Sequence, residues 1–399
     1  MYFFILGHNF ILSIGEIMSL VKKNFEIEEE SKNVLILKCP VFDLNDFQKK
    51  LGGTIKLGEI KTCLPLTQFS KISPLIFSLL PLTAKKIYFG FSIYPIEETA
   101  PLKNFNQLIK DLSLKIKKDL KEKNISSRWV ASKEPSLSSV VVKKNNLDKP
   151  EKGVEFVILV SKNKFYLGKT AAWQDFEKEK YFDFGRPSRP IKSGLLPPKL
   201  ARLLINLSQV EKDEIILDPF CGSGTILSEA IGLGYKKIIG ADINKKALNR
   251  TKENINWLTR QTKEKINFQL LLSDVQNISK KIPSSSIGAI ITEPYLGPLK
   301  TPSSETKILY LISDLSHLYL NAFKEFRKIL KPKAKVVIIS PVFLLKNKKY
   351  FLPLKDKIKK QEWEIINPLK NSKKFNNVPL IYHQPDQKIW REILIFQKI

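Results

Sequence analysis

The sequence predicts an α/β protein, with a doubly wound parallel sheet in its C-terminal half preceded by an α+β N-terminal half. Three observations carry this expectation. Beyond residue 200, short apolar strands alternate with amphipathic helices, the pattern of a parallel sheet covered on both faces. The first of these strands runs into a glycine-rich turn, LDPFCGSGT (217–225), that opens a helix. Before residue 170 strands and helices also occur, but without regular alternation.

At the N-terminus, YFFIL (2–6) reads as a strand, 15–23 as a short helix with Ile17, Leu20 and Val21 on one face, and NVLILK (33–38) as a second strand. A helix is expected over 43–51, with Leu44, Phe47 and Leu51 on one side, and Leu51-Gly52-Gly53 ends it. Residues 1–60 therefore suit a small α+β unit. Over 104–122 Phe105, Leu108, Ile109, Leu112 and Ile116 recur at helical spacing, with lysines on the other face. SSVVVKK (138–144) and EFVILVSK (155–162) read as two strands across a polar loop. Such a basic helix and hairpin fits an RNA-facing surface and an ordinary solvated layer equally well. Residues 171–200 hold Gly185, Pro187, Pro190, Gly194, Pro197 and Pro198, the punctuation of a linker or entry segment.

The C-terminal domain, 201–399, follows as EIILD (214–218), a helix from Thr225 to Gly232, KIIGAD (237–242), a helix over 245–260, and FQLLLSD (268–274). IGAIIT (287–292), a long helix near 306–330 and KVVIIS (335–340) complete the alternation. WEIIN (363–367) and REILIFQK (391–398) suit a terminal hairpin.

Charge narrows the partner. The chain has 67 Lys and Arg against 39 Asp and Glu, a net charge of +28, and a pI near 9.7. That excess suits a polyanion, although a lysine-rich composition alone names no ligand. Cys39, Cys63 and Cys221 are few and far apart, so neither a disulfide framework nor a CxxC metal site is expected. His8, His317 and His383 have no ligand-spaced neighbour, and no metal site is expected. The stretch MYFFILGHNFILSIGEIMSL has no basic lead and is interrupted by His8, Asn9 and Glu16, so it reads as strand and helix rather than a secretory leader. No window reaches the ~18–20 uninterrupted apolar residues of a membrane helix. The expectation is a soluble, cytoplasmic protein with no membrane partner.

The glycine-rich turn selects among nucleotides. Gly222 and Gly224 let the backbone turn tightly in front of the positive end of a helix. A dinucleotide fingerprint needs a third glycine where Leu227 stands, and a P-loop needs a lysine that is absent. Asp218, at the end of the strand, would repel a pyrophosphate but favour a cationic amino-acid end. S-adenosylmethionine has such an end, and Pro219 and Phe220 would line its site. Asp242, with Ile243 beside it, ends the second strand and can accept ribose hydroxyls. Asp274 ends the third and can accept from an adenine amine, with Val275 against the ring.

Asp218-Pro219-Phe220-x-Gly222-Ser223-Gly224-Thr225, Gly240-Ala241-Asp242 and Ser273-Asp274-Val275, followed by a proline-containing loop after the fourth strand, resemble the methyltransferases that modify exocyclic nitrogens of nucleobases. YFDFGRPSRPIKSGLLPPKLARLLINLS (181–208), with LSSVVVKKN (137–145), GVEFVIL (153–159) and LGKTAAWQDFEK (167–178), is similar to the THUMP-domain tRNA guanosine N2-methyltransferases that act on guanosine 10. LGHNFILSIGEIMSL and LGGTIKLGEI (51–60) are similar to that family's N-terminal ferredoxin-like unit. The resemblance implies a Rossmann-like methyltransferase domain over 201–399, a THUMP RNA-binding domain over 61–170, S-adenosylmethionine as cofactor and tRNA as substrate. Arg186, Arg189, Lys192 and Lys199 are candidate RNA-phosphate contacts, and solvated surface cations explain any one of them as readily.

In that family the loop after the fourth strand reads Asp-Pro-Pro-Tyr/Phe. Here AIITEPYLGP (289–298) places Glu293 at the aspartate, Pro294 at the first proline, Tyr295 at the second and Leu296 at the aromatic position. Glu293 and the Pro294 carbonyl would accept the two N–H bonds of the target amine, and Tyr295 would stack on the base. An adenine or cytosine N-methyltransferase on RNA or DNA, and an RNA-binding protein that keeps the fold without catalysis, remain open alternatives. The sequence leaves open any accessory subunit.

Overall fold

The computed structural model describes residues 1–21, 24–98, 100, 105–188, 195–263, 265–298, 302–384, 387 and 389–399. The chain divides into two compact units. The first comprises Met1–Phe10, Val21–Lys49 and Thr54–Glu179, and the second Ile11–Leu20, Lys50–Gly53 and Lys180–Ile399. No described helix is long and apolar enough to cross a membrane.

The first unit is built on one sheet of eight strands, β1 (Tyr2–Leu6), β2 (Glu26–Glu30), β3 (Val34–Lys38), β4 (Thr54–Pro65), β5 (Lys86–Pro95), β6 (Ser126–Val130), β7 (Gly153–Val160) and β8 (Lys164–Trp173), in the order β2-β3-β1-β4-β8-β7-β5-β6. Only β5 pairs in parallel, with β6 and with β7. β4 runs through residue 60, where the sequence suggests a boundary, because its antiparallel pairing with β8 joins the two expected domains into one sheet.

Helix Phe105–Glu122 lays Phe105, Ile109, Leu112, Ile116 and Leu120 on Phe89, Phe91, Phe156 and Leu167. Its Lys110, Lys115, Lys117, Lys118 and Lys121 point to solvent, as the sequence predicts. The expected strand over 138–144 is instead a helix, Ser139–Lys144, and the expected hairpin does not form. The Ser138 hydroxyl caps it by accepting from the Val141 N–H, and of the three valines only Val142 is buried.

Inside this unit Lys56 and Glu155, 1% and 0% exposed, form an ion pair of 2.6 Å. Glu155 also accepts from Ser92, Thr170 and Trp173, and Lys56 donates to the Leu137 carbonyl. Both charges are thereby satisfied, the condition under which a buried pair is tolerated.

The second unit contains β9 (Ile216–Asp218), β10 (Lys237–Asp242), β11 (Asn267–Leu272), β12 (Ile287–Thr292), β13 (Leu330–Leu345), β14 (Lys348–Phe351), β15 (Trp363–Ile365), β16 (Ile381–Tyr382) and β17 (Ile389–Lys398). Their order is β11-β10-β9-β12-β13-β17-β15, with β14 on β13 and β16 on β17. β9 to β13 are parallel, and β17 enters antiparallel between β13 and β15, its pairing with β15 being the one expected of WEIIN and REILIFQK. The helix Glu305–Ile329 packs Ile308, Ile312, Leu315, Tyr319 and Phe323 into the core under this sheet.

Glu16 belongs to this unit. Buried, it accepts from the backbone N–H groups of Gly52 and Gly53 at 2.8 and 2.9 Å and from Asn206 Nδ2 at 2.7 Å. A Cβ on Gly52 would stand 2.3 Å from the Lys199 carbonyl oxygen. The Gly-Gly pair therefore both ends a helix and lets the chain press onto the helix Pro198–Ser208.

Candidate active site

β9 lies at the centre of the parallel sheet, with β10 on one side and β12 on the other. Chain order reverses here, and the loops leaving β9 and β12 diverge to open a crevice at the carboxyl ends of the strands, the usual ligand position in such sheets. A cleft of about 240 Å³ lies there, and its walls include Asp218, Phe220, Gly222, Ser223, Arg250 and Glu293.

The glycine-rich loop has the backbone its sequence demands. Gly222 and Gly224 take φ of 56° and 80°, a region that L side chains avoid. A Cβ on Gly224 would also stand 2.8 Å from Thr251 Cγ2. The helix Thr225–Gly232 begins at Gly224. Asp218, 2% exposed, accepts from the Phe220 N–H at 3.2 Å and from Thr292 Oγ1 at 2.7 Å. Burial is the main reason its carboxyl is pushed up to about 7, and the neighbouring charges of Asp242 and Glu293 add to it. An acid so placed welcomes a cationic ligand.

Asp242 accepts from the N–H groups of Gly222 at 3.0 Å and Asn244 at 2.8 Å, one on each oxygen. Each oxygen keeps a lone pair for a hydroxyl. Ile243 beside it is 73% exposed, an apolar surface at the right edge for a base. Asp274 caps the turn that follows β11 by accepting from Gln276 N–H at 2.9 Å. Val275 is buried in the core beneath the sheet, whereas Ile243 and Leu272 are exposed at this end. Pro219 is buried, and Phe220 packs partly on the same core.

Across the cleft, Glu293 Oε1 accepts from Arg391 Nε at 2.6 Å. Burial raises the Glu293 carboxyl above its ordinary value, and Arg391 opposes that rise. Pro294 is buried, while the Tyr295 ring is 56% exposed. The Tyr295 carbonyl accepts from the Tyr319 hydroxyl at 3.1 Å. Gly297 turns the chain at φ 101° against Leu311 and Phe343. The Glu-Pro-Tyr-Leu order thus forms a fixed loop with the carboxylate held inward and the aromatic ring outward.

The expected phosphate contacts divide. Arg186 is buried, donating to Thr225 Oγ1 at 3.0 Å and Asp183 Oδ1 at 3.1 Å. It braces the helix behind the glycine-rich loop instead of facing solvent, because Pro187 and Ser188 carry the segment against helix Lys245–Thr262. Lys199 is exposed at the start of the helix Pro198–Ser208. Arg189 and Lys192 lie outside the described residues.

Several supporting residues escaped the motif reading. Asn254 holds three groups at once, accepting from Ser188 N–H and donating to the carbonyls of Ser188 and Ser223. Thr251 donates to the Gly222 carbonyl. Both lie on the buried side of helix Lys245–Thr262, and a buried polar residue on an amphipathic helix was their only signal. Arg391 sits 98 residues from Glu293, with no local pattern to link them.

Residues 186–341 match the family model for the RMKL-like methyltransferase domain. A DNA methylase model matches residues 97–253, a span that includes the glycine-rich loop but stops before Glu293. A tRNA (guanine(10)-N2)-dimethyltransferase of Methanocaldococcus jannaschii is 34% identical over 193 residues, 46% of this chain and 52% of that protein. One of Methanothermobacter thermautotrophicus is 36% identical over 135 residues, 33% of this chain and 38% of that protein. The aligned part of the chain thus spans about half the length, or less, of these curated relatives. Among solved structures, TrmN from Thermus thermophilus aligns over 100% of this chain and 99% of its own, with a TM-score of 0.55 at 16% identity, a likeness of fold. The stretch matched by the RMKL-like methyltransferase-domain model, residues 186–341, carries both loops of the cleft.

Proposed function

We propose that the chain is an S-adenosylmethionine-dependent tRNA methyltransferase that places methyl on the exocyclic N2 of a guanosine, at guanosine 10. The observation that carries this reading is the meeting of Asp218 and Glu293 in one cleft, each on its own loop from adjacent strands. One carboxylate suits a cationic cofactor and the other an amine.

The donor set fits S-adenosylmethionine. Asp218 would face its cationic amino-acid end, Asp242 its ribose hydroxyls, Asp274 its adenine amine, and Ile243 the ring. Bound there, the cofactor supplies an electrophilic methyl. The lone pair of a guanine N2 is delocalised into the ring. Glu293, whose second oxygen is not the one held by Arg391, and the Pro294 carbonyl accept its two N–H bonds and draw the nitrogen toward tetrahedral geometry. Tyr295, exposed and anchored through its carbonyl, stacks on the extruded base. After transfer the nitrogen has one proton too many, and Glu293, already raised by burial, takes it.

The names and aligned segments of the two archaeal relatives support the choice of tRNA and of N2. The basic face of helix Phe105–Glu122 supports an RNA-binding role of THUMP type for the first unit, whose ferredoxin-like and THUMP parts share β4 rather than separating at residue 60. The test is in vitro methylation of an unmodified tRNA transcript followed by nucleoside mass spectrometry. N2-methylated guanosine is expected; N6-methyladenosine or N4-methylcytidine instead would reject the assignment.

A further inference from the structure

β13 outruns its neighbour. Its last pairing with β12 joins Ile338 to Thr292, yet the strand continues to Leu345. At about 3.3 Å per residue, that extension reaches roughly 20 Å beyond the edge from which the two loops of the cleft emerge. It is flanked by β14 and β17. The turn to β14 runs through Lys346 and Asn347, at φ 46° and 64°, the two-residue form whose twist matches paired strands.

Alternation divides the side chains of this ribbon between two faces. On one face Pro341 lies opposite Arg391, the partner of Glu293, and Phe343 packs beside Gly297. On the other face Val342 lies opposite Trp390 and Leu344 opposite Lys349. There Lys349 Nζ stands 4.6 Å from the Trp390 ring centroid. The His383 ring, just past β16, stacks on Trp390 at 4.3 Å and 19°. Lys346, Lys348 and Lys349 are exposed, Trp390 and His383 half-buried. Lys348 pairs with the exposed Glu305 at 2.9 Å.

We propose that this face of the β13–β14–β17 ribbon binds tRNA, with Lys346 and Lys349 on backbone phosphates and the His383–Trp390 column against a base. The proposal rests on the tRNA methyltransferase reading and adds a surface to it. Cations set among half-exposed rings on a strand surface are what a single-stranded RNA segment needs, since phosphates take the charge and every base has a face to stack. An apolar partner would be poorly served by exposed lysines, and a chain of net charge +28 favours a polyanion throughout. Trp390 and Arg391 are consecutive on β17 and so point to opposite faces, which sets this RNA-binding face across the ribbon from the residue that holds Glu293.

The experiment is equilibrium filter binding of an unmodified tRNA transcript to the full chain across a salt series, with S-adenosylmethionine affinity as the check on folding. Lys346→Ala/Lys349→Ala is expected to weaken tRNA binding by about tenfold and to lower the slope of log Kd against log salt by about 2. Trp390→Ala is expected to weaken binding by roughly 5- to 100-fold, with Trp390→Phe recovering most of it. An unchanged tRNA Kd and salt slope in the double lysine variant overturns the proposal, and that variant decides alone if Trp390→Ala loses cofactor binding. A wild-type chain that fails to bind tRNA rejects the underlying reading together with this surface. Wild-type binding with unaffected variants rejects only the surface.

Discussion

Arg391 donates to Glu293 across 98 residues of sequence, at 2.6 Å, with the two side chains 5% and 15% exposed. A carboxylate at this position in the related loop is ordinarily an aspartate. The longer glutamate gains a methylene of freedom, and Arg391 removes that freedom by fixing one oxygen. It also opposes the burial that favours the protonated form, and only the ionised form can take up a proton from a methylated amine.

Glu293→Ala is expected to lower kcat by about 10²- to 10⁴-fold while leaving S-adenosylmethionine affinity unchanged. Full turnover in this variant would place the acceptor elsewhere.

Arg391→Met removes the cation that favours the ionised carboxylate. The Glu293 pKa then rises further, so the acid limb of the kcat/KM profile moves to higher pH, and Arg391→Lys moves it part of the way back. A profile that does not move would reduce Arg391 to a packing role.

Asp218 ties stability and binding to pH. Its folded carboxyl is raised from 3.8 to about 7, so between these values the folded state binds more protons than the unfolded state. Stability therefore falls as pH rises through this window, by an amount on the order of 1–4 kcal/mol in full. Asp218→Asn should raise Tm at pH 8 more than at pH 5. A cationic ligand favours the ionised form, so cofactor affinity should weaken as pH drops below about 7, with a proton released on binding. Calorimetry in buffers of different ionisation enthalpy measures that proton, and its absence at pH 6 would contradict the assignment of Asp218.

Asp242→Ala should weaken cofactor binding by roughly 10- to 100-fold, since charged acceptors contribute about 1.5–3 kcal/mol each. Because Asp242 also holds the Gly222 N–H, the melting temperature without ligand should be measured alongside. Unchanged affinity would reject the ribose role.

In the first unit, Lys56→Met leaves Glu155 buried and uncompensated, with an expected loss of about 3–5 kcal/mol in urea unfolding. Replacing both, as Lys56→Met/Glu155→Leu, should recover most of it. A single variant as stable as the wild type would show that water reaches this pair.

The alternating half was legible because local signals agree there. β12 and the helix Thr225–Gly232 coincide with their expected limits, since apolar strands, a glycine turn and helical periodicity all point to one fold. The N-terminal half was less so. Val140, Val141 and Val142 carry strand propensity, but Ser138 caps a helix and only one valine needs burial. Strands such as β4 and β8 gain their stability from pairing with each other, which no short window displays. The site divides in the same way. Asp218 and Asp242 end strands, Gly222 and Gly224 shape the turn after the first, and all four are read from spacing. Arg391, Asn254 and Thr292 act through contacts between distant segments, and Arg186 looks like a surface cation until its partners Thr225 and Asp183 are seen.

The most direct measurement is nucleoside mass spectrometry of an unmodified tRNA transcript incubated with S-adenosylmethionine and either the wild-type chain or Glu293→Ala. The expected result is N2-methylated guanosine, mapped to position 10, with the wild type and an initial rate at least about 100-fold lower with the variant. Methylation of adenine or cytosine, or equal guanine N2 methylation by both proteins, would contradict the assignment of the Glu293 loop as the reaction centre.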